Sequence, residues 1–224
     1  MLSKILSAAL IGIDAHIVEV EVDVTAKGLP HFSTVGLPDT AVKESKERVR
    51  AALKNTGFNF PLKQITVNLA PADLKKEGSA FDLPIAIGIV VSEGIVSPDA
   101  VEGFLISGEL SLDGRIKNVR GALSMAIKAR EDKLRGLILP EENAAEACVV
   151  EGVPVYGFRT LPELIEYLTG MNTKEPRKIN ISAVMEENSL YIDDFSDVKG
   201  QEHVKRALEV AAAGSHNLLT LYPV

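Results

Sequence analysis

The stretch His16 to Val24 alternates β-branched residues with polar or acidic ones, the period of two that marks a half-buried strand. His31 to Val35, closed by Gly36-Leu37-Pro38, reads as a second strand. Asp39 is then placed to cap a helix running to about Asn55, with Gly57 as its left-handed stop. Gln64 to Leu69 predicts another strand. Asp82 to Ser92 is nearly continuous apolar sequence and predicts a helix buried on several sides, with Pro84 accommodated in its first turn. Phe104 to Leu110 and Leu112 predict a hairpin-like pair of strands turning at Asp113-Gly114. Beyond them come a helix from Gly121 to Lys133, a strand from Gly136 to Leu139 closed by Pro140, and a helix from Glu141 to Val149. A short strand from Val153 to Tyr156 and a helix from Leu161 to Thr169 complete the series. Crossovers and hairpins in this order, from Ile11 to about Gly170, predict an α+β domain with a mixed sheet.

Between Met171 and Asp194 the pattern dissolves into polar residues, the composition of a linker. Phe195 opens a second unit with one complete helix, Gln201 to Ala213, and a strand-like start at Asn217-Leu218-Leu219. One helix and part of a strand cannot bury a core. The expected organisation is therefore a domain over residues 1–170, a linker over 171–194 and the beginning of a second domain over 195–224. At 46% hydrophobic and 25% charged, the 224 residues describe a globular chain rather than a disordered one. No apolar run reaches the roughly 18 residues of a membrane-spanning helix. Met1-Leu2-Ser3-Lys4 does not have the layout of a secretory signal. The single cysteine, Cys148, can form no internal disulfide and reads as a packing residue in a small-residue helix, so a cytoplasmic setting is expected.

A net charge of −7 weighs against strong nucleic-acid wrapping by the chain as a whole. It leaves room for local basic patches. On the helix after Asp39, Lys43, Lys46, Arg50 and Lys54 share one face beside an apolar stripe of Val42, Val49 and Leu53. Such a row can contact phosphates, although Glu44 and Glu47 dilute it and an ordinary solvated face is the competing reading. His16, His31, His203 and His216 are scattered, with no spacing of a zinc site.

Two stretches carry a family resemblance. Val35-Gly36-Leu37-Pro38-Asp39-Thr40-Ala41-Val42-Lys43-Glu44-Ser45, followed by Lys76-Glu77-Gly78-Ser79-Ala80-Phe81-Asp82-Leu83-Pro84, resembles the ComM/YifB-type Mg-chelatase-like AAA+ ATPases. Phe195-Ser196-Asp197-Val198-Lys199-Gly200-Gln201-Glu202 and Ala211 through Leu219 resemble the lead-in to the AAA+ module of the same family. The resemblance implies a Lon-protease-like amino-terminal domain in a hexameric, DNA-acting ring ATPase of competence or recombination, with ATP and Mg2+ as cofactors. DNA and further copies of the chain are the implied partners. It implies no chelation, and no metal or tetrapyrrole signature supports an accessory chelatase subunit. Val198, Gly200 and Gln201 match residues that lie beside the adenine in such ATPases. Where the family continues into a G-x-x-x-x-G-K-[ST] loop, this chain reads Thr220-Leu221-Tyr222-Pro223-Val224, which has no glycine and no lysine with which to cradle phosphates. The expectation is a chain truncated before its phosphate loop, by a frameshift, and without its own ATPase site.

The Lon-like resemblance raises a second reading, a Ser/Lys peptidase. Laid on Lon's Lys-Asp-Gly-Pro-Ser pattern, residues 76–80 put Ala80 at the nucleophile position, with Ser79 one residue away. The lysine position falls on Leu123, while Lys117 and Lys128 stand six residues before it and five after. Without a lysine to take the serine proton the dyad fails. Ser79 and Asp82 then read as helix-start residues, and the domain as non-catalytic.

Overall fold

A computed structural model describes residues 1–26, 29–178 and 194–220. The chain divides into two compact units, Met1–Ile179 and Asn180–Val224. In the first, nine strands and six helices follow in the order β1 (Leu2–Ile11), β2 (Asp14–Thr25), β3 (His31–Val35), α1 (Thr40–Asn55), β4 (Gln64–Ala70), α2 (Asp82–Ser92), α3 (Pro98–Val101), β5 (Phe104–Ile106), β6 (Glu109–Leu110), β7 (Ile116–Lys117), α4 (Ala122–Glu131), β8 (Gly136–Pro140), α5 (Glu141–Ala147), β9 (Val155–Phe158) and α6 (Leu161–Leu168). Seven strands form one mixed sheet in the order β3-β4-β2-β1-β5-β8-β9. β1 and β4 run antiparallel to β2, and the remaining neighbours are parallel. β6 and β7 make a separate two-stranded ribbon. The α+β expectation is met.

Side chains alternate across the sheet, and each face builds its own core. Ile5, Ala9, Phe104, Ile106 and Ile138 face one core with α1, α2 and α6. Ala8, Leu105, Leu137 and Leu139 face the other with α4 and α5. Every residue of α2 is buried, as its apolar sequence predicts. Gly88 lets this helix approach the sheet closely, since a Cβ there would fall 2.5 Å from Cγ2 of Val22. The buried serines at this contact are satisfied: Ser3 Oγ donates to the Gly88 carbonyl at 2.8 Å, and Ser92 Oγ to the Val22 carbonyl at 3.0 Å.

Three expectations change. β1 lies in the centre of the sheet, yet Leu2–Ile11 shows no clear alternation of residue type, because small or polar residues (Ser3, Ser7, Ala9) point inward while Leu2 and Leu10 stay exposed. Phe104–Leu110 is not one strand. Phe104–Ile106 joins the main sheet, while Glu109–Leu110 turns back on Ile116–Lys117, with Leu112 exposed in the turn. The last strand begins at Val155, two residues later than Val153.

The polar segment that follows α6, read as the start of a linker, is tied to the first unit. Lys174 Nζ bonds Glu163 at 2.6 Å and lies 3.6 Å from Glu141 and 4.6 Å from the Phe158 ring centre. The Arg177 amide donates to the Val155 carbonyl at 2.7 Å, extending the edge of β9, and its guanidinium meets Glu141 at 3.3 Å. Cys148, half-buried, points Sγ at the Arg177 carbonyl at 3.3 Å, and burial pushes its thiol up. The rest of the expected linker, up to residue 193, lies outside the described residues.

In the second unit, Asp194 caps a short turn, Phe195–Asp197, through reciprocal bonds with Ser196 and Asp197. Helix α7 (Glu202–Gly214) follows, and none of the described residues from 194 onward is buried. Asn217–Leu219, expected to start a strand, forms none; a strand needs a neighbour for its backbone, and the described residues supply none. Residues 221–224 lie outside the described residues.

Candidate functional site

The two signature stretches of the first unit fold onto each other. After β3, Gly36 takes φ +98°, and a Cβ at this position would stand 2.1 Å from the Leu69 carbonyl oxygen. Only glycine turns the chain here. Pro38 then bridges to Lys76. The Asp39 amide donates to the Lys76 carbonyl at 3.0 Å, and the Lys76 amide donates to the Leu37 carbonyl at 3.3 Å. The Asp39 carboxylate serves twice: it caps α1 at the Val42 amide, 2.7 Å away, and accepts from the Gly78 amide at 3.0 Å.

This clasp forms one wall of a cleft of about 540 Å3. Ala8, Ala9 and Leu10 from the end of β1 make a second wall, and Asn118, Val119 and Arg120 a third, with Gly78, Ser79, Ala80 and Glu109 between. Its charges are Asp39, Glu77 and Glu109 against Lys75 and Arg120. Lys75 and Glu77 already pair at 2.5 Å.

Ser79 lines the cleft and donates its hydroxyl to Glu109. Ala80 lines it too. Leu123 sits 40% exposed on α4, a leucine where a peptidase lysine is required. Lys76 does not fill that role, because it is fully buried and its Nζ donates to the Pro71 carbonyl. Burial lowers its affinity for a proton, with Asp73 acting in the opposite direction. A serine with no neutral lysine in the cleft lacks the base of a Ser/Lys dyad.

Asp82 is not merely a helix-start acid. Its carboxylate is fully buried and takes Arg48 as a fork, Nε at 2.6 Å and Nη2 at 3.0 Å, together with the Leu110 amide at 3.2 Å. Burial pushes this carboxyl up to about 6, against the pull of Arg48 and of the Leu110 amide. Arg48 also donates to the Ala41 carbonyl at 2.8 Å. The pair pins α1, α2 and the β6 ribbon together beneath the cleft. Arg48 escaped the sequence reading because no local rule pairs it with a residue 34 positions away. Its position off the Lys43, Lys46, Arg50 and Lys54 row was the available signal. Glu109 and the Asn118–Arg120 wall carried no comparable signal.

On α1, Lys43 and Lys54 are exposed, and Lys46 and Arg50 are half-buried, on one outward side. Lys46 pairs with Glu47 at 3.7 Å; among the described residues Lys43, Arg50 and Lys54 take no ion-pair partner. In the second unit, Val198 is 45% exposed, Gly200 has φ +74°, and Gln201 has φ +57° at the start of α7. These three lie along an exposed turn that encloses nothing, so the residues present do not by themselves fit a nucleotide. His16 and His31 stand exposed on β2 and β3, and among the described residues no three His, Cys, Asp or Glu side chains converge as a metal site would require.

A mixed sheet with helices on both faces, carrying a loop-walled cleft that retains a serine, is the architecture of a Lon-protease-like α+β domain. Residues 20–143 match the family model of subunit ChlI of Mg-chelatase, and residues 194–223 match a second model, magnesium chelatase subunit ChlI. The chain belongs to the ComM/YifB-type Mg-chelatase-like AAA+ family. It is 43% identical over 227 residues to competence protein ComM of Haemophilus influenzae, and 39% identical over 224 residues to YifB of Escherichia coli. A protein of Mycobacterium tuberculosis is 40% identical over 222 residues. Each alignment covers 99% of this chain and 43% of the relative, so the chain spans less than half the length of the curated relatives it matches.

Proposed function

We propose that the first unit is a non-catalytic domain of a DNA-acting AAA+ ring ATPase, one that shapes assembly of the ring or access of DNA to it. The observation that carries this reading is the order of the two family matches, the ChlI segment followed by the magnesium-chelatase segment, along one chain. The name of the Haemophilus influenzae relative, a competence protein, suggests DNA processing as the setting, and the cytoplasm is the compartment this reading assigns. The row Lys43, Lys46, Arg50 and Lys54 is the surface offered to phosphates, and three of its four cations are not engaged by carboxylates among the described residues. ATP and Mg2+ are the cofactors of the complete machine, with Val198, Gly200 and Gln201 as one side of the adenine site. Further copies of the chain complete the ring. No helix among the described residues is long and apolar enough to cross a membrane.

The test is anisotropy of labelled duplex, single-stranded and branched DNA, titrated over a range of salt. Lys43→Glu, Arg50→Glu and Lys54→Glu together should weaken binding and reduce the logarithmic salt slope by about 0.9 for each phosphate no longer neutralised. Equal affinity and slope in the triple variant would remove α1 from the interface.

A further inference from the structure

Strand β1 outruns its neighbour. It pairs with β2 from Leu2 to Ile11, whereas β5 meets it at Leu6 alone, opposite Leu105. The ladder decides which backbone groups face which way. Met1 and Val24 exchange both hydrogen bonds, Met1 donating at 2.7 Å and Val24 donating back at 3.3 Å. In an antiparallel pair such exchanges recur at every second residue. The odd-numbered residues of β1 therefore bond β2, and the even-numbered ones turn N–H and C=O toward the side of β5. Leu6 uses its groups there. Leu10 lies past the end of β5, and among the described residues its amide and carbonyl take no partner. That free edge borders the cleft: Ala8, Ala9 and Leu10 all line it although their side chains alternate between faces, so the cleft meets the strand along its backbone.

The opposite wall presents its backbone as well. Asn143 holds Val119 from behind, accepting from its amide at 2.8 Å and donating to its carbonyl at 2.9 Å. Across a trans peptide, C=O and N–H point in opposite directions. The Asn118 carbonyl and the Arg120 amide therefore point away from Asn143, and among the described residues neither has a partner. Two walls of one cleft thus carry unused amides and carbonyls.

We propose that this cleft binds an extended segment of polypeptide, which enters as an added strand along the free edge of β1, facing residues 118–120. Alternating donors and acceptors on the incoming chain are what such an edge complements. Ala8, Ala9, Gly78 and Ala80 leave room for its side chains. Three carboxylates, Asp39, Glu77 and Glu109, against two cations oppose a phosphate backbone, which separates this site from the basic face of α1. The segment is held and not cut, since position 123 is leucine. The inference does not depend on the DNA-related reading.

The experiment uses the whole chain and two probes: fluorescein-labelled β-casein, an unfolded polypeptide, and a labelled alanine–valine hexapeptide made with and without N-methyl groups on alternate amides. Saturable anisotropy with β-casein and the plain hexapeptide is expected. Leu10→Pro removes an outward N–H while leaving the β2 ladder intact, a position where proline is tolerated; it should weaken both probes by about tenfold. N-methylation should weaken the hexapeptide on the unaltered protein by at least as much, which decides the matter if the proline variant does not fold. Absence of saturable binding, equal binding of the N-methylated hexapeptide, or displacement of β-casein by oligo(dT) would each overturn the proposal.

Discussion

Replacing Arg48 with methionine isolates the interaction under the cleft. Asp82 has no solvent exposure, and Arg48 supplies two of the three hydrogen bonds its carboxylate accepts, at 2.6 and 3.0 Å; the third comes from the Leu110 amide at 3.2 Å. The substitution keeps the bulk of the aliphatic stem and strands a buried charge, for which the expected cost is about 3–5 kcal/mol. At about 2–4 °C per kcal/mol for a unit of this size, the midpoint of thermal unfolding should fall by about 6–20 °C. The pH dependence follows from the carboxyl value. Burial raises Asp82 from 3.8 to about 6, above its unfolded value, so the folded state binds the extra proton between these limits. Stability contributed by this group is complete below 3.8 and is lost as the pH rises through about 6. Without Arg48 the carboxyl rises further, and the loss reaches higher pH. The deficit of Arg48→Met should therefore be largest in mildly alkaline buffer and shrink on acidification. Adding Asp82→Asn should recover most of it. Urea denaturation followed by far-ultraviolet circular dichroism across this range gives the numbers. A cost under about 1 kcal/mol, typical of an exposed pair, or a deficit indifferent to pH, would refute the reasoning.

Other outcomes are expected. Gly36→Ala should destabilise the first unit by about 3 kcal/mol or more in the same urea experiment, since the added Cβ would lie 2.1 Å from the Leu69 carbonyl at a φ of +98°. Trypsin followed by mass spectrometry should cut slowly after Lys174 and Arg177, and Glu163→Ala should speed cleavage after Lys174 by releasing its 2.6 Å contact. A serine-reactive fluorophosphonate should leave Ser79 unlabelled in the native chain, and adduct formation detected on intact mass would contradict the missing-base argument.

Much of the fold was legible in local pattern. The alternation of His16–Val24, the Asp39 cap and the wholly apolar Asp82–Ser92 stretch each report on one element, and each element formed as read. β1 was not legible, because its inward positions include Ser3 and Ser7 and its outward ones Leu2 and Leu10, so residue type does not follow the inside and outside that periodicity measures. The division at Phe104–Leu110 was hidden for a related reason: three buried residues of the main sheet run on within a few residues into a ribbon that belongs elsewhere.

The candidate site divides in the same way. Residues 35–45 and 76–84 announced themselves as signatures, and their chemistry was readable from residue type: a capping aspartate, tight-turn glycines, and a serine without a lysine at position 123. Only the tertiary structure showed that Asp39 joins the two stretches, that Arg48 rather than a neighbour of the basic row answers Asp82, and that Lys174 and Arg177 return to Glu141, Glu163 and β9. Each of these contacts joins residues separated by 11 to 39 positions. The sequence by itself determined the local matters, namely caps, turns, apolar periods and the identity of the side chains available. Which buried charge meets which partner, and which strand edge stays open, follow from chain crossings, because burial and backbone pairing depend on neighbours in space that adjacency along the chain does not specify.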